Sequence, residues 1–167
     1  MLGSPAANHD SFAVSTPSDV EIRITRLFNA PRELVFDAMT QPAHVRQWWG
    51  QLGEGYSVPV CTIDLRVGGR WEFVNRHPGG DVTFYGEYLE IERPSRLVFT
   101  EIFAAYPDVV STVSTDYTEE RGGTRMTAIV RYPSREVRDA VISSGMEKGA
   151  GVSYDRLEDL LASLQRR

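Results

Sequence analysis

Among the carboxylates, Glu101 has the neighbours that most suggest chemistry. It shares parity with Phe99 and Phe103, so in a strand all three side chains project from one face. A carboxyl group on an apolar face that closes over a cavity loses water. Its pKa then rises, and it can serve as an acid or a base. Glu72 alternates with Trp71 and Phe73, and Glu87 with Gly86 and Tyr88, which points both away from the aromatic residues. Asp64 and Arg66 share parity and can pair on either face. For every one of these carboxylates, a solvated strand face is the competing reading.

Other reactive types are scattered. His9, His44 and His77 fall in the N-terminal stretch, a helix and a turn, without metal-ligand spacing. Cys61 is the only cysteine, so neither an internal disulfide nor a cysteine metal site is expected. Gly50, Gly53 and Gly55 do not form a dinucleotide fingerprint, and no nucleophile elbow or phosphate loop is present. No metal and no cofactor is therefore expected.

The aromatic supply is richer. Trp71, Phe73, Tyr88 and Phe99 fall in strand-like segments, and Tyr154 falls in a helical one. Any of them can be ordinary core. Together with Met126, Met146 and Ala150 they can equally wall a pocket, with Trp49 near its entrance and Glu101 as its ionisable group.

These side chains need a scaffold. Gly- and Pro-containing turns at Val67-Gly68-Gly69, His77-Pro78-Gly79-Gly80-Asp81, Arg93-Pro94-Ser95, Tyr106-Pro107-Asp108 and Arg121-Gly122-Gly123 divide the middle of the chain. They predict strands over 57–66, 69–76, 82–92, 96–105, 109–119 and 123–132, paired as an antiparallel meander. An earlier strand is predicted over 21–28, with Ile22, Ile24 and either Leu27 or Phe28 facing inward. Two short helices follow it, the first capped by Asn29 with Pro31 in its first turn and the second over 43–48. A single helix is predicted over 135–165, with Ser134 as its cap. Gly145, Gly149 and Gly151 inside it require a close approach to the sheet, a kink, or room for a ligand. Residues 1–19 lack periodicity and read as a flexible leader, and residues 20–167 as one domain. The net charge of −5 argues against a nucleic-acid surface. No segment reaches the roughly 18 apolar residues of a membrane span, and no signal peptide is seen, so a cytoplasmic location is expected.

The order of elements resembles the helix-grip fold (START-like/Bet v-like) of the SRPBCC superfamily: an α+β fold with a curved antiparallel sheet wrapped around a long C-terminal helix. Particular segments resemble the branch named for the activator of heat-shock protein 90 ATPase. They are Phe28-Asn29-Ala30-Pro31-Arg32-Glu33-Leu34-Val35-Phe36-Asp37-Ala38, Trp48-Trp49-Gly50, and Asp64-Leu65-Arg66-Val67-Gly68-Gly69-Arg70-Trp71. To these are added Gly86-Glu87-Tyr88, Arg93 to Thr100, Gly122 to Met126, and Gly145-Met146-Glu147-Lys148-Gly149 with Leu157. The resemblance covers residues 21 to about 163. It implies a small hydrophobic or aromatic ligand held between the sheet and the last helix. Other members imply two alternatives: a polyketide cyclase- or aromatase-like enzyme using the same cavity, or a chaperone-associated or dimerising module. The chaperone activator uses an additional N-terminal domain, which 1–19 are too short to supply. The expectation is thus a binding protein rather than an enzyme.

Overall fold

The computed structural model describes residues 11–166. Its strands are β1 (Ala13–Ser15), β2 (Glu21–Phe28), β3 (Ser57–Ile63), β4 (Arg70–His77), β5 (Gly80–Glu92), β6 (Arg96–Phe103), β7 (Ser111–Glu120) and β8 (Gly123–Arg131). Helices α1 (Arg32–Thr40) and α2 (Pro42–Trp48) follow β2, and α3 (Arg135–Ser143) and α4 (Met146–Gln165) end the chain. The strands form one 8-stranded sheet in the order β1-β2-β8-β7-β6-β5-β4-β3, every neighbouring pair antiparallel. The meander therefore runs as the turn signals predict, and β2 closes onto its last strand. The sheet curves over α4, whose Leu157 and Leu161 are fully enclosed against Ile22, Phe28 and Phe36.

Three expectations need correction. The N-terminal stretch is not a free leader throughout. Ala13–Ser15 pairs with Arg23–Thr25, and Ser11 Oγ accepts from the Leu27 amide at 2.8 Å. Farther along, Arg138 donates to the Ser18 carbonyl at 2.7 Å. A three-residue strand has too little periodicity to be read from sequence; its order comes from tertiary contacts. Phe12 lies against Gly151 and stacks at an angle on Tyr154, with ring centroids 6.1 Å apart. Residues 1–10 lie outside the described residues. Phe12→Ala is expected to destabilise the fold by about 1–3 kcal/mol, because it removes a half-buried ring that covers the helix. Urea denaturation measures this, and a change below about 0.5 kcal/mol would mean the N-terminal segment contributes nothing to stability.

The second correction concerns the C-terminal helix, which is two helices. Gly145 adopts φ +85°, a left-handed conformation that ends α3 after Ser144 and re-aims the chain into α4. Of the explanations for the three glycines, the kink belongs to Gly145, while Gly149 faces the loop residue Leu52 and Gly151 faces Phe12, each at a distance that leaves a Cβ in ordinary contact. Ser134 caps α3 as expected, accepting from the Val137 amide at 3.2 Å. The third correction is at α1, where Pro31 occupies the cap position and no side chain caps the helix. Asn29 instead donates its amide to Glu158 of α4, and its carbonyl accepts from Gln165.

One interior feature was not legible. Alternation along β2 turns Ile22, Ile24, Arg26 and Phe28 inward, and Arg26 is fully buried. Its Nη1 pairs with Asp155 of α4 at 2.7 Å, and its guanidinium sits 5.4 Å from the centre of the Phe28 ring. Nε and Nη2 have no hydrogen-bond partner among the described residues.

Candidate functional site

The inner face of the sheet does not meet α4 everywhere. Between them lies a cavity of about 930 Å³. A second hollow, of about 240 Å³ over Gln47, Arg156 and Asp159, is open to solvent and encloses little. Alternation builds the large cavity. Leu97, Phe99, Glu101 and Phe103 of β6 all line it, as do Ser111, Val113, Thr115 and Tyr117 of β7. From β8 come Met126, Ala128 and Val130, with Tyr132 one step beyond. Register locks these rows together: Phe99 stands between Tyr88 and Val113, and Glu101 opposite Ser111.

Aromatic rings finish one wall. Trp71 contacts Phe73 at 4.8 Å and Phe99 edge-on at 5.6 Å, while Trp49 packs edge-on against Phe73 at 5.1 Å and Phe84 at 5.5 Å. The Trp71 indole crosses Gly86 and donates to the Thr100 carbonyl at 3.2 Å. A side chain at 86 would collide with that carbonyl, so glycine lets the ring lie flat on the sheet. Tyr154 forms the helix side of the cavity. Trp48 stacks on it at 6.0 Å, and the Trp48 indole is fixed by donation to the Ala38 carbonyl at 2.9 Å.

The mouth is marked by the exposed lining residues Leu52 and Tyr106. The loop after Trp49 is anchored at Gly50, whose carbonyl accepts from Asn75 at 3.0 Å and whose amide donates to Ser153 of α4 at 3.2 Å. This places Trp49 just inside the anchor.

Polar groups are few. Among the described residues, Glu101 is the only one with a carboxylate that lines the cavity, and no Lys, Arg or His does. Glu101 keeps some accessible surface because it borders empty volume, but the surrounding protein strips away bulk water. That burial pushes its carboxyl up to about 7. Burial also raises the hydroxyl of Tyr154 to about 12 and that of Tyr132 further, and Glu101 adds to both shifts. Tyr88 and Tyr117 are raised mainly by burial, and the Tyr117 hydroxyl donates to the Met39 sulfur at 3.0 Å.

Every residue nominated from sequence borders this one cavity: Trp49, Trp71, Phe73, Tyr88, Phe99, Glu101, Met126, Met146, Ala150 and Tyr154. Glu72 and Glu87 are exposed on the opposite face, and Asp64 pairs with Arg66 at 2.8 Å in an exposed turn. Tyr132, Ser111 and Thr115 were missed. Continuing the parity of Met126 along β8 would have found Tyr132. His44 and His77 stand apart from the cavity, and His9 lies outside the described residues. Cys61 is buried and its thiol is raised, chiefly by that burial. Among the described residues no cluster of His, Cys, Asp or Glu could hold a metal ion, and no helix is long and apolar enough to cross a membrane.

The profile of the activator of Hsp90 ATPase homolog 1-like protein family matches residues 29–162. The chain belongs to this family. Solved structures agree on the fold. A protein from Rhodobacter sphaeroides superposes with a TM-score of 0.82 at 26% identity, covering 92% of this chain and 99% of its own. Protein Ms6760 from Mycobacterium smegmatis gives 0.81 at 28% identity, covering 91% and 98%. Protein NE0264 from Nitrosomonas europaea gives 0.79 at 26% identity, covering 91% and 100%. No curated protein matches the sequence significantly. The match to the activator of Hsp90 ATPase homolog 1-like family and these neighbours show the helix-grip α+β fold, and none of the neighbours' descriptions states a ligand.

Proposed function

We propose that this protein binds a small hydrophobic or aromatic molecule in the cavity between the sheet and α4. One observation carries the reading. Protein interiors are normally filled to crystal-like density, whereas here about 930 Å³ stays open behind walls of Trp, Phe, Tyr, Met and Val. That volume lies at the upper end of the range of about 300–1,000 Å³ for small-molecule sites. The residues nominated above form its walls, and the loop beyond Gly50 gates it. A cytoplasmic setting fits the lone reduced Cys61.

Filling the cavity tests the reading. Ala150→Leu, on the helix side, is expected to keep a cooperative thermal transition while weakening an apolar fluorescent probe about tenfold, a loss of about 1.4 kcal/mol. Marked destabilisation, with no probe bound by the wild type, would reject a binding cavity. Native mass spectrometry of protein from its own host would then identify the retained molecule.

Glu101 supports a second reading, an enzyme of the polyketide-cyclase or aromatase type. A carboxyl raised to about 7 inside the cavity can take and return a proton near neutral pH. Conversion of a bound ligand by the wild type but not by Glu101→Gln would decide for it. A chaperone-associated or dimerising module calls for a filled core, and the open volume counts against that reading.

A further inference from the structure

We infer that the ligand is an amine: an aromatic or alicyclic body carrying one protonated nitrogen, seated with its ammonium against the Glu101 carboxylate. The inference rests on the binding reading above. The first support is electrostatic. Among the described residues, no Lys, Arg or His lines the cavity into which Glu101 brings its carboxylate, and no side chain forms an ion pair or hydrogen bond with it. An ionised carboxylate in such a place is strongly disfavoured until a cation joins it. The groups facing it supply none. Ser111 opposes it across β7, and Tyr132 and Tyr154 approach from the end of β8 and from α4 with their hydroxyls still protonated at neutral pH. Arg26, whose charge is felt at Tyr154, pairs with Asp155 and is not among the lining residues.

The walls are the second support. Indole and phenyl faces attract an ammonium group as well as an apolar ring, so Trp71 and Phe99 favour both ends of such a ligand. A fatty acid or another carboxylate ligand meets the opposite situation: repulsion from Glu101 and no cation to receive it. Raised by burial, Glu101 is largely protonated below neutrality. Binding of an ammonium there converts the carboxylic acid to the carboxylate and releases one proton to the buffer.

The test uses three probes of one shape: 2-naphthylmethylamine, 2-naphthylmethanol and 2-naphthoate. Each is titrated into the full chain at pH 8 by calorimetry. The amine is expected to bind at least about tenfold more tightly than the alcohol, the range of a charge-assisted hydrogen bond, and the carboxylate most weakly. Glu101→Gln should abolish the preference for the amine over the alcohol. In the wild type at pH 6, the apparent enthalpy of amine binding should vary with the ionisation enthalpy of the buffer. This second readout stands even if the variant folds poorly. Equal affinity for alcohol and amine, an amine preference that survives Glu101→Gln, or no proton release at pH 6 would overturn the inference while leaving a binding cavity in place. Failure of all three probes to bind would overturn the binding reading as well.

Discussion

Replacing Glu101 with glutamine is expected to raise the unfolding free energy at pH 9 by up to about 3 kcal/mol and to leave it unchanged at pH 4. The sign follows from linkage. The carboxyl titrates near 4.5 in the unfolded chain and near 7 in the fold, where burial opposes its charge. Below 4.5 both states hold the proton and the site has no cost. Between these values the native state keeps a proton that the unfolded chain has released, so stability falls as pH rises. The deficit is complete above 7. Glutamine has the same shape and cannot ionise, so it removes the deficit. Water entering the cavity solvates the carboxylate and brings the effect below its upper value. Guanidinium denaturation at pH 4, 6 and 9 reads the difference directly. A gain of equal size at pH 4 and pH 9 would show that packing, and not charge, is responsible.

Gly86→Ala, beneath the Trp71 ring of the cavity wall, should be a severely damaging single-methyl change, costing at least about 3 kcal/mol or preventing folding. The new Cβ would strike the Thr100 carbonyl oxygen and lie 2.7 Å from the Trp71 indole nitrogen. Backbone cannot yield as a flexible side chain does. Either β5 and β6 separate locally, or Trp71 leaves its bond to Thr100 and swings into the cavity. Chemical denaturation gives the cost, and tryptophan fluorescence reports the ring. Wild-type stability together with unchanged emission would mean that the flat seating of Trp71 on the sheet is not what the glycine secures.

Sequence reading reached the site because strand alternation is local. Phe99, Glu101 and Phe103 share a face whatever their partners are, and Trp71 with Phe73 is fixed in the same way. Tyr132 lay within reach of the same alternation and was missed; only its approach to Glu101, on the far side of Ser111, depends on strand register. The break at Gly145 was not separable from the neighbouring glycines, because a left-handed φ and a close approach leave the same residue in the sequence. Strand β1 is too short to carry a pattern and is held by its ladder with β2. Alternation turns Arg26 inward, but its enclosure depends on α4, where Asp155 pairs with it.

The pairing of β2 with β8 also sets the order in which the chain can assemble. Glu21 meets Arg131 at one end of that ladder and Phe28 meets Thr124 at the other. A chain made from its N-terminus exposes one long edge of β2 until β8 has been synthesised, with only the short β1 on its other side. Unpaired apolar strands of this kind invite pairing with other chains. Arg26 stands in the middle of the strand's apolar face, among Ile22, Ile24 and Phe28. Until α4 covers it, an inward-facing charge at that position is the kind of feature that discourages exposed strands from pairing with one another.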